Sequence, residues 1–512
     1  MRLFVFAIGG TGSRVLRSMV MQFAAGITPT DPQGKPYEDL SVVPIIIDPH
    51  TANKDLQETN TLLKRYKNIH ETIYGSKYRP NMFFGVKIES LKDISTNENN
   101  GTTYDIEDSF FFNMESTISA HTFKEFIGAN DHSVAREAKK LISSLFSSDE
   151  LNTEMSEGFY GSPNIGTIAL NVFQRSDSYT ALAQSFRRGD RILFIGSIFG
   201  GTGASGLPML VSSIRQDEKN TALSDAFMGA LIVMPYFAIA ERENSEIQGK
   251  DFWIKTKTAL KYYVDNLYPY LNMVYYVADP ATTDPFENDP GKGGQKSNRA
   301  HFVEFLGGLT AFDLLSAKAE SDGDGSDVVI KDGRKEAKSS KIKQFELKEN
   351  SNFINFRHLS KETNQTILKP MVGFHFLSRF IDGGYFNSNL SQSFAKNGEI
   401  DKAAISDDFL TFIKNYKTWL DEMAHQGSTA HNFTPFRLPI PSSKEFTADV
   451  EEINVKKGSW GKKRIDADGI VKKLNKSAKH KEAQTSAGRF IFMAQEAMDQ
   501  LIDETYDLVN II

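Results

Sequence analysis

The stretch GSIFGGTGASG, residues 196–206, decides the fold of this chain. Before it comes RILFI at residues 191–195, a β-branched and aromatic run that is typical of a buried strand. After it comes LPMLV at residues 207–211, which favours the first turns of a helix. Glycines let backbone N–H groups crowd around an anion, and the amino end of a helix attracts negative charge. The stretch therefore predicts a strand, a phosphate-binding loop and a helix in succession.

A second glycine loop, GGTGSR at residues 9–14, follows the apolar run LFVFAI at residues 3–8. Further buried strands are predicted at residues 42–47, 226–234 and 273–277, with helical stretches between the predicted strands. This alternation predicts βαβ units and a mostly parallel sheet, whose ligands bind at the carboxyl ends of the strands. Both glycine loops lie at such ends, which predicts one nucleotide held from two sides.

Composition narrows the functional classes. The chain has 512 residues, enough for two or three domains, and its formal net charge of −6 argues against a surface devoted to nucleic acid or to a membrane. It has no cysteine, so disulfides, thiolate metal sites and a cysteine nucleophile are excluded. The apolar run after Met1 and Arg2 ends at Gly9 without a cleavage-site pattern, and no stretch approaches the roughly 20 apolar residues of a membrane-spanning helix. We expect a soluble protein of the cytoplasm.

The pattern along the chain predicts two domains joined by a helix. Residues 1–296 form the predicted nucleotide-binding domain, in which the polar segment at about 75–130 is expected to be an insertion or a surface arm. An apolar helix within residues 297–320 is expected to connect this domain to the rest. Residues 321–512 are predicted to form a smaller α+β carboxyl-terminal domain with a helical tail.

The main glycine loop resembles the signature of the tubulin and FtsZ superfamily. The family motif is GGGTGS/TG, and residues 199–205 have FGGTGAS, in which Phe199 replaces the first glycine. In that family a glycine loop also follows the first strand, as residues 9–13 do, and an acidic or amide residue follows the second strand, as Asp48 does. A single short motif occurs by chance, so the order of several loops carries the resemblance.

Two further loops follow the family order. The family loop GxGGNPxxG is matched at its end by GSPNIG at residues 161–166. The FtsZ pattern PFxFEGxxR is matched in part by PYF at residues 235–237, with Glu241 and Arg242 two residues late. The resemblance covers roughly residues 1–280 and is nearest to the divergent bacterial tubulin-like proteins.

The resemblance implies a GTP site, with GDP after hydrolysis and Mg²⁺ as the accompanying ion. Residues 200–203 would hold the α- and β-phosphates, residues 161–166 would face the γ-phosphate, and Asn298 would recognise the guanine edge through its amide. No protein side chains with metal-ligand spacing are evident. The implied nucleotide contacts are Gly9, Gly10, Thr11, Gly12, Ser13, Asp48, Gly161, Ser162, Gly166, Gly200, Gly201, Thr202, Gly203, Glu241 and Asn298.

In this family, acidic residues that follow the connecting helix complete the site of the neighbouring subunit. FtsZ has NxDxxD there, and DGDGSD at residues 322–327 has the same spacing of acids. The resemblance implies that Asp324 and Asp327 orient the attacking water, since positioning and charge neutralisation supply most of the rate in phosphoryl transfer. It further implies head-to-tail filaments and a GTPase completed by the next subunit.

Each motif also has a plainer interpretation. Residues 9–13 are equally typical of a tight strand-to-helix turn, and Asp48 of a turn at a strand end. Residues 322–327 are also typical of a solvated loop, or of an incomplete calcium loop. Glu241 and Arg242 more often form a surface ion pair. The lysines of residues 455–481 predict a solvated surface, or else a site for DNA or an acidic partner.

Two other functions remain open at this stage. One is a GTP-binding regulator or scaffold that stays monomeric or joins a fixed complex, and that neither polymerises nor hydrolyses GTP. A protein partner would bind through the carboxyl-terminal domain. The other is a dinucleotide-dependent oxidoreductase. Val15 argues against it, because the dinucleotide-binding motif needs a third glycine at that position. The sequence does not discriminate GTP from ATP.

Overall fold

The computed structural model describes residues 1–98, 106–112, 122–155, 159, 162–236, 249–279, 298–319, 327–346, 361–386, 395–396, 399–424, 436, 444–450, 453–459, 461–477, 483 and 485–508. Its strands are β1 (Arg2–Ile8), β2 (Ser41–Ile47), β3 (Lys87–Ile88), β4 (Arg191–Ser197), β5 (Phe227–Val233), β6 (Met273–Ala278), β7 (Val328–Lys331), β8 (Arg334–Ala337), β9 (Lys341–Glu346), β10 (Ala395–Lys396), β11 (Glu399–Ile400), β12 (Lys457–Gly458) and β13 (Gly461–Lys462). Its helices are α1 (Gly9–Ala24), α2 (Lys54–Tyr74), α3 (Leu91–Glu98), α4 (Phe123–Phe126), α5 (Arg136–Leu145), α6 (Ser148–Leu151), α7 (Pro163–Leu170), α8 (Asp177–Ser185), α9 (Gly201–Arg215), α10 (Thr221–Ser224), α11 (Gly249–Asn266), α12 (Phe302–Gly308), α13 (Thr310–Ser316), α14 (Lys361–Asp382), α15 (Asp407–Ala424), α16 (Ala467–Lys476) and α17 (Ser486–Thr505).

A seven-stranded sheet organises the described part of the chain, in the order β3-β2-β1-β4-β5-β6-β9. Every pairing within it is parallel. The central strands are buried along their whole length, which explains their unbroken apolar sequences. The predicted α/β class with a parallel sheet is therefore confirmed. The strand order reverses between β1 and β4, and ligands of open α/β sheets bind at such a switch point.

Helices cover both faces of this sheet. Alternate side chains of β1 enter two separate apolar clusters: Leu3 and Val5 face one, Phe4 and Phe6 the other. The first cluster also receives α1, α2, α12 and α13, together with the carboxyl-terminal helices α14 to α17. The second receives α7, α8, α9 and α11. The carboxyl-terminal helices thus share an apolar core with one face of the sheet.

Part of the segment at about 75–130, expected to be an insertion or a surface arm, contributes to that shared core. Phe83 and Phe84 are fully buried, and the Phe84 ring lies 5.6 Å from that of Phe374 and 4.9 Å from that of Phe412. β3 continues the sheet beside β2. The expectation rested on the polar residues 97–103 and overlooked the apolar run that precedes them, which packs between α2, α14 and α15.

The described part of the connecting segment, expected to be one helix within residues 297–320, contains two short helices, α12 and α13, which meet at Leu309. A Cβ atom on Gly307 would lie 2.9 Å from a Leu231 methyl group and 3.0 Å from Val15, and one on Gly308 would lie 2.7 Å from Gln22. The two glycines therefore let α12 approach α1 and the sheet closely, and glycine weakens a helix where it occurs. Across the described ranges, no helix combines the length and the apolarity that crossing a bilayer demands.

Candidate functional site

Two helices begin side by side at the switch point of the sheet. α1 starts at Gly9 after β1, and α9 starts at Gly201 after β4. The residues before them, Ile8 and Gly200, have no side chain able to cap a helix, and neither first turn contains an acid. The first N–H groups of both helices are therefore uncapped by side chains. Each helix amino end carries roughly +0.5 charge, so the pair strongly favours an anion.

The two helix ends are in close contact. Gly9 adopts a left-handed backbone, φ +73°, and a Cβ atom placed on it would lie 3.5 Å from the backbone nitrogen of Gly203 and 3.5 Å from Cβ of Thr202. A side chain in that conformation is strained, so glycine is needed to turn the chain directly from strand into helix. The turn brings both glycine loops to one place, as their positions after neighbouring parallel strands predicted.

The glycines of the two loops have different roles: two allow close packing and one faces open space. A Cβ atom on Gly12 would lie 2.6 Å from the carbonyl oxygen of Ile195, and one on Gly203 would lie 2.7 Å from that of Ser197. These two glycines let each helix pack tightly against the strands behind it. A Cβ atom on Gly10 would meet nothing within 4 Å. Gly10 is therefore the glycine of the first loop that faces open space, where a ligand has room to approach the backbone.

Asp48, at the end of β2, lies next to the paired helix ends. Its Oδ2 lies 3.8 Å from the position of a Cβ atom on Gly9, and its Oδ1 accepts a hydrogen bond of 2.8 Å from the backbone of His50. Burial raises the pKa of Asp48, although hydrogen bonds from His50 and from the Thr202 side chain act in the opposite direction. A carboxylate and a hydroxyl thus stand together beside the anion site.

The hydroxyls of the first loop are enclosed. Thr11 is buried, and Ser13 is completely inaccessible to solvent. Within the described residues, the Ser13 hydroxyl has no hydrogen-bond partner. An enclosed hydroxyl without a partner costs about 1–3 kcal/mol, so a polar group that reaches Ser13 would gain this energy.

α7 packs against α9, the helix of the main glycine loop. Ser162 is the N-cap residue of α7, and Gly166 lies one turn further on, against the Ser205 side chain of α9. A Cβ atom on Gly166 would collide with Oγ of Ser205 and with the Phe159 ring. The segment predicted to face the γ-phosphate is therefore packed on α9, the helix that begins at the main glycine loop. Gly161 and Glu241 lie outside the described residues.

Asn298 belongs to a group of buried charges that the sequence did not predict. Its side-chain nitrogen donates a hydrogen bond of 2.8 Å to Asp55, and its backbone nitrogen donates one of 2.9 Å to the same carboxylate. Arg14 contacts Asp55 at 3.1 Å, Glu304 at 2.7 Å and the Tyr236 hydroxyl at 2.7 Å. We call Arg14, Asp55, Tyr236, Asn298 and Glu304 the buried charge network.

Contacts within this network favour the charged form of Arg14. Burial lowers the pKa of Arg14, but its interactions with Tyr236, Glu304 and Asp55 outweigh that effect and raise its pKa well above the usual value. Burial raises the pKa of Tyr236. The only sequence signals were charged residues in apolar helices, Arg14 just after the first glycine loop and Glu304 in α12.

His301 is buried and is the N-cap residue of α12. It precedes α12, its Nδ1 accepts a hydrogen bond of 3.1 Å from the backbone of Val303, and its Nε2 lies 3.6 Å from Asp279. Glu304 accepts a hydrogen bond of 3.2 Å from the His301 backbone and so completes a capping box. Histidine replaces the usual serine or threonine at this position.

Asp327 lies at the opposite edge of the sheet. Its carbonyl oxygen accepts hydrogen bonds from the Lys338 backbone at 2.9 Å and from Asn272, the residue before β6, at 3.3 Å. Its side chain is buried. The central strands β1, β4 and β5 are seven residues long, so about 20 Å separates this edge from the glycine loops. One copy of the chain therefore does not bring Asp327 to the anion site, and Asp324 lies outside the described residues.

No family model and no curated protein matches the chain. Among solved structures, CetZ2 from Haloferax volcanii, in a GTPγS-bound protofilament, is similar over 63% of this chain and 61% of that chain, with 13% sequence identity and a TM-score of 0.29. The chain thus matches less than two thirds of the length of CetZ2. At this identity and TM-score the likeness carries no information about activity, and the family indicated by the glycine loops stays a prediction. In the described parts of the chain, no three acidic or histidine side chains are grouped to hold a metal ion.

Proposed function

We propose that this chain is a cytoplasmic GTP-binding protein that assembles head-to-tail into filaments and hydrolyses GTP at the contact between copies. The observation that carries the proposal is the pair of uncapped helix amino ends, at Gly9 and Gly201, at the switch point of a parallel sheet. Such a pair suits a polyphosphate, because several N–H groups and two helix dipoles act on the same anion. The choice of GTP rests on the resemblance of the loops to the tubulin and FtsZ motifs.

Different residues at the site would bind different parts of the nucleotide. Backbone N–H groups of Gly10 and of residues 200–203 would bind the phosphates. Mg²⁺ prefers oxygen ligands and keeps several of its waters, so the neighbouring oxygens of Asp48 and Thr202 suit an ion that arrives with the nucleotide. Recognition of the base is assigned to Asn298, whose amide Asp55 holds in place.

The position of Asp327 supports assembly in one direction. In a head-to-tail stack, the edge that carries the amino ends of the strands would lie on the carboxyl-end edge of the next copy. Such a contact joins two different surfaces and so repeats without closing. Asp324 and Asp327 would then approach the nucleotide of the neighbouring copy and orient water in line with its γ-phosphate.

The burial of Asp327 favours a second candidate function, a nucleotide-binding regulator or scaffold that neither polymerises nor hydrolyses GTP. Only 6% of Asp327 is exposed, and its backbone is bonded to Asn272 and Lys338. A carboxylate in that position needs a local rearrangement before it reaches a neighbouring molecule. A scaffold would need no such rearrangement.

Sedimentation of the purified protein tests the proposal. Samples contain GTP, a non-hydrolysable GTP analogue, GDP or ATP, and phosphate release is followed in parallel. Pelleting with GTP and release of phosphate, both lost in Thr202→Ala, is the expected result, and Asp324→Ala is expected to pellet without releasing phosphate. Thr258→Ala, an exposed threonine on α11, is the matched control. GTP binding without pelleting or phosphate release would favour the scaffold, and no GTP binding would refute both.

A further inference from the structure

A cavity of about 280 Å³ opens at the amino ends of β5, β6 and β9, on the edge of the sheet opposite the glycine loops. Lysines dominate its lining. Lys318, Lys338, Lys341 and Lys343 face it together with one acid, Asp327. Four lysines against one aspartate leave a net formal charge of +3, in a chain whose total is −6. We call this cavity the lysine pocket.

The one acid in the lining also faces positive charge behind the pocket. The charge of Asp327 interacts with two arginines behind the pocket wall, Arg191 and Arg215. Arg215 is completely buried and donates hydrogen bonds to the carbonyl oxygens of Ser224 and Ala226. The positive charge on this side of the sheet therefore extends below the surface, and the lysines at the mouth add to it.

Two described acids near this edge, Asp313 and Asp225, are engaged in ion pairs. Lys343 binds both carboxylate oxygens of Asp313, at 2.6 Å and 2.7 Å. Asp225 binds Lys335 at 2.8 Å. Lys343 is thus held in place at one side of the pocket. Lys318 and Lys341, both exposed side chains, stand at its mouth.

We propose that the lysine pocket is a binding site for a phosphate group. A concave surface lined by charges of one sign, with buried apolar walls such as Phe227 and Met273, concentrates the electric field on an anion inside it. The lysine ammonium is a common phosphate ligand and acts as a point charge. The volume lies just below the usual range of about 300–1,000 Å³ for ligand pockets, so it suits a small phosphate compound.

The phosphate has two possible sources. One is a free metabolite that carries a phosphate or pyrophosphate group. The other is the nucleotide of the adjoining copy in a head-to-tail stack, because the lysine pocket lies on the edge that would cover it; this second source rests on the proposed function. In the second case the lysines would neutralise charge on the transferred phosphate.

Lysine-by-lysine acetylation, measured by mass spectrometry, tests the site. In the first arm, protein without nucleotide is acetylated with and without inorganic pyrophosphate. In the second arm, no pyrophosphate is added, and pelleted protein with GTP is compared with protein that has not assembled. We expect acetylation of Lys338 and Lys341 to slow at least fivefold in one arm or both. Lys402, a distant and highly exposed lysine, is expected to react at an unchanged rate.

Each outcome of the acetylation experiment either supports or overturns the proposed phosphate site. Protection in the first arm identifies a free phosphate ligand, and protection only in the second identifies the nucleotide of the adjoining copy. Protection in neither arm overturns the proposal, as does equal protection of Lys402. A Lys318→Ala/Lys338→Ala/Lys341→Ala variant is expected to lose at least tenfold in pyrophosphate affinity at this site or to stop pelleting with GTP. The charge-matched control is Lys402→Ala/Lys462→Ala/Lys472→Ala.

Failure of the proposed function would be visible separately. GTP binding to single copies is measured by equilibrium dialysis and does not involve the lysine pocket. Pyrophosphate protection of Lys338 without any GTP binding would refute the proposed function and leave the lysine pocket standing. GTP binding and pelleting without protection would do the reverse.

Discussion

Arg14 and Glu304 lie 290 positions apart in the sequence and form an ion pair of 2.7 Å that is almost completely enclosed. The pair joins α1, which begins at the first glycine loop, to α12, which packs against both α1 and Leu231 of β5. Asp55 of α2 shares the same guanidinium at 3.1 Å. A single arginine therefore links the three helices α1, α2 and α12 around the candidate site by ion pairs.

Replacement of Arg14 by methionine is expected to lower the free energy of unfolding by about 3–5 kcal/mol, because it leaves the carboxylates of Asp55 and Glu304 buried without their cation. Urea denaturation measures the loss. Lys402→Met removes an ion pair with Asp407 in which both side chains are more than 80% exposed, and is expected to change nothing measurable. A loss below about 1 kcal/mol in the Arg14 variant would contradict the role given to the buried charge network.

Gly10→Ala and Gly12→Ala separate ligand binding from packing in the first glycine loop. The new methyl group of Gly10→Ala meets open space, so stability is expected to stay the same or rise, while nucleotide affinity falls at least tenfold. Gly12→Ala places a methyl group against the backbone of Ile195 and is expected to cost about 1–3 kcal/mol. Thermal unfolding and equilibrium dialysis measure the two effects. Unchanged nucleotide affinity in Gly10→Ala would refute its assigned place.

Gly166→Ala is expected to push α7 away from α9, because its methyl group collides with the Ser205 side chain. The expected cost is about 1–3 kcal/mol in the free energy of unfolding. Removal of the opposing side chain tests the cause: Ser205→Gly in the same chain should restore part of the loss, and a double-mutant cycle measures the coupling. Additive effects of the two changes would show that the contact does not decide the docking of α7.

His70 is expected to make the protein less stable in mild acid. Burial lowers the pKa of His70 from 6.5 to about 4. Its Nδ1 is 2.7 Å from the carbonyl oxygen of Phe84, and its buried Nε2 has no partner among the described residues, so a second proton there would be unsatisfied. The unfolded chain therefore binds the proton first. Stability is full above pH 6.5 and falls as the pH drops toward 4.

Urea denaturation at pH 7.5 and pH 5 measures this contribution, which amounts to about 2 kcal/mol between these two values. His70→Asn keeps a donor near the position of Nδ1 and is expected to remove that part of the difference. His375, whose pKa burial also lowers, keeps a dependence of the same sign in the variant. His132→Asn, at an exposed position, is the control and is expected to retain the full difference.

The sheet and its loops were predictable because the signals are local. A run of apolar, β-branched residues that ends in glycines specifies strand, turn and helix within about ten positions, as at residues 191–206. The placement of both loops at one end of adjacent strands then follows from parallel pairing. The contact of Asp48 with Thr202 was foreseeable in the same way, since β2, β1 and β4 are neighbours.

Other features depend on distant partners and leave little trace in the sequence. Nothing near Arg14 shows that Glu304 will neutralise it. The interruption at Leu309 arises because α1 and Leu231 approach Gly307 and Gly308, which a helical pattern does not reveal. Phe83 and Phe84 belong to the core because α14 and α15, some 300 positions later, close over them. The turn-forming residues that follow Phe83 and Phe84 predict a surface loop, so the sequence did not indicate that these two rings belong to the core.

All strands of the seven-stranded sheet run the same way, so the molecule has a direction. One edge carries the two helix ends, and the other carries the lysine pocket. A row of such molecules would inherit that polarity: one tip would always present glycine loops to the solution, and the other tip lysines. A copy that joins the row would contact glycine loops at one end and lysines at the other. The row would therefore grow faster at one end than at the other. The two ends of the row would therefore differ without the binding of any other protein.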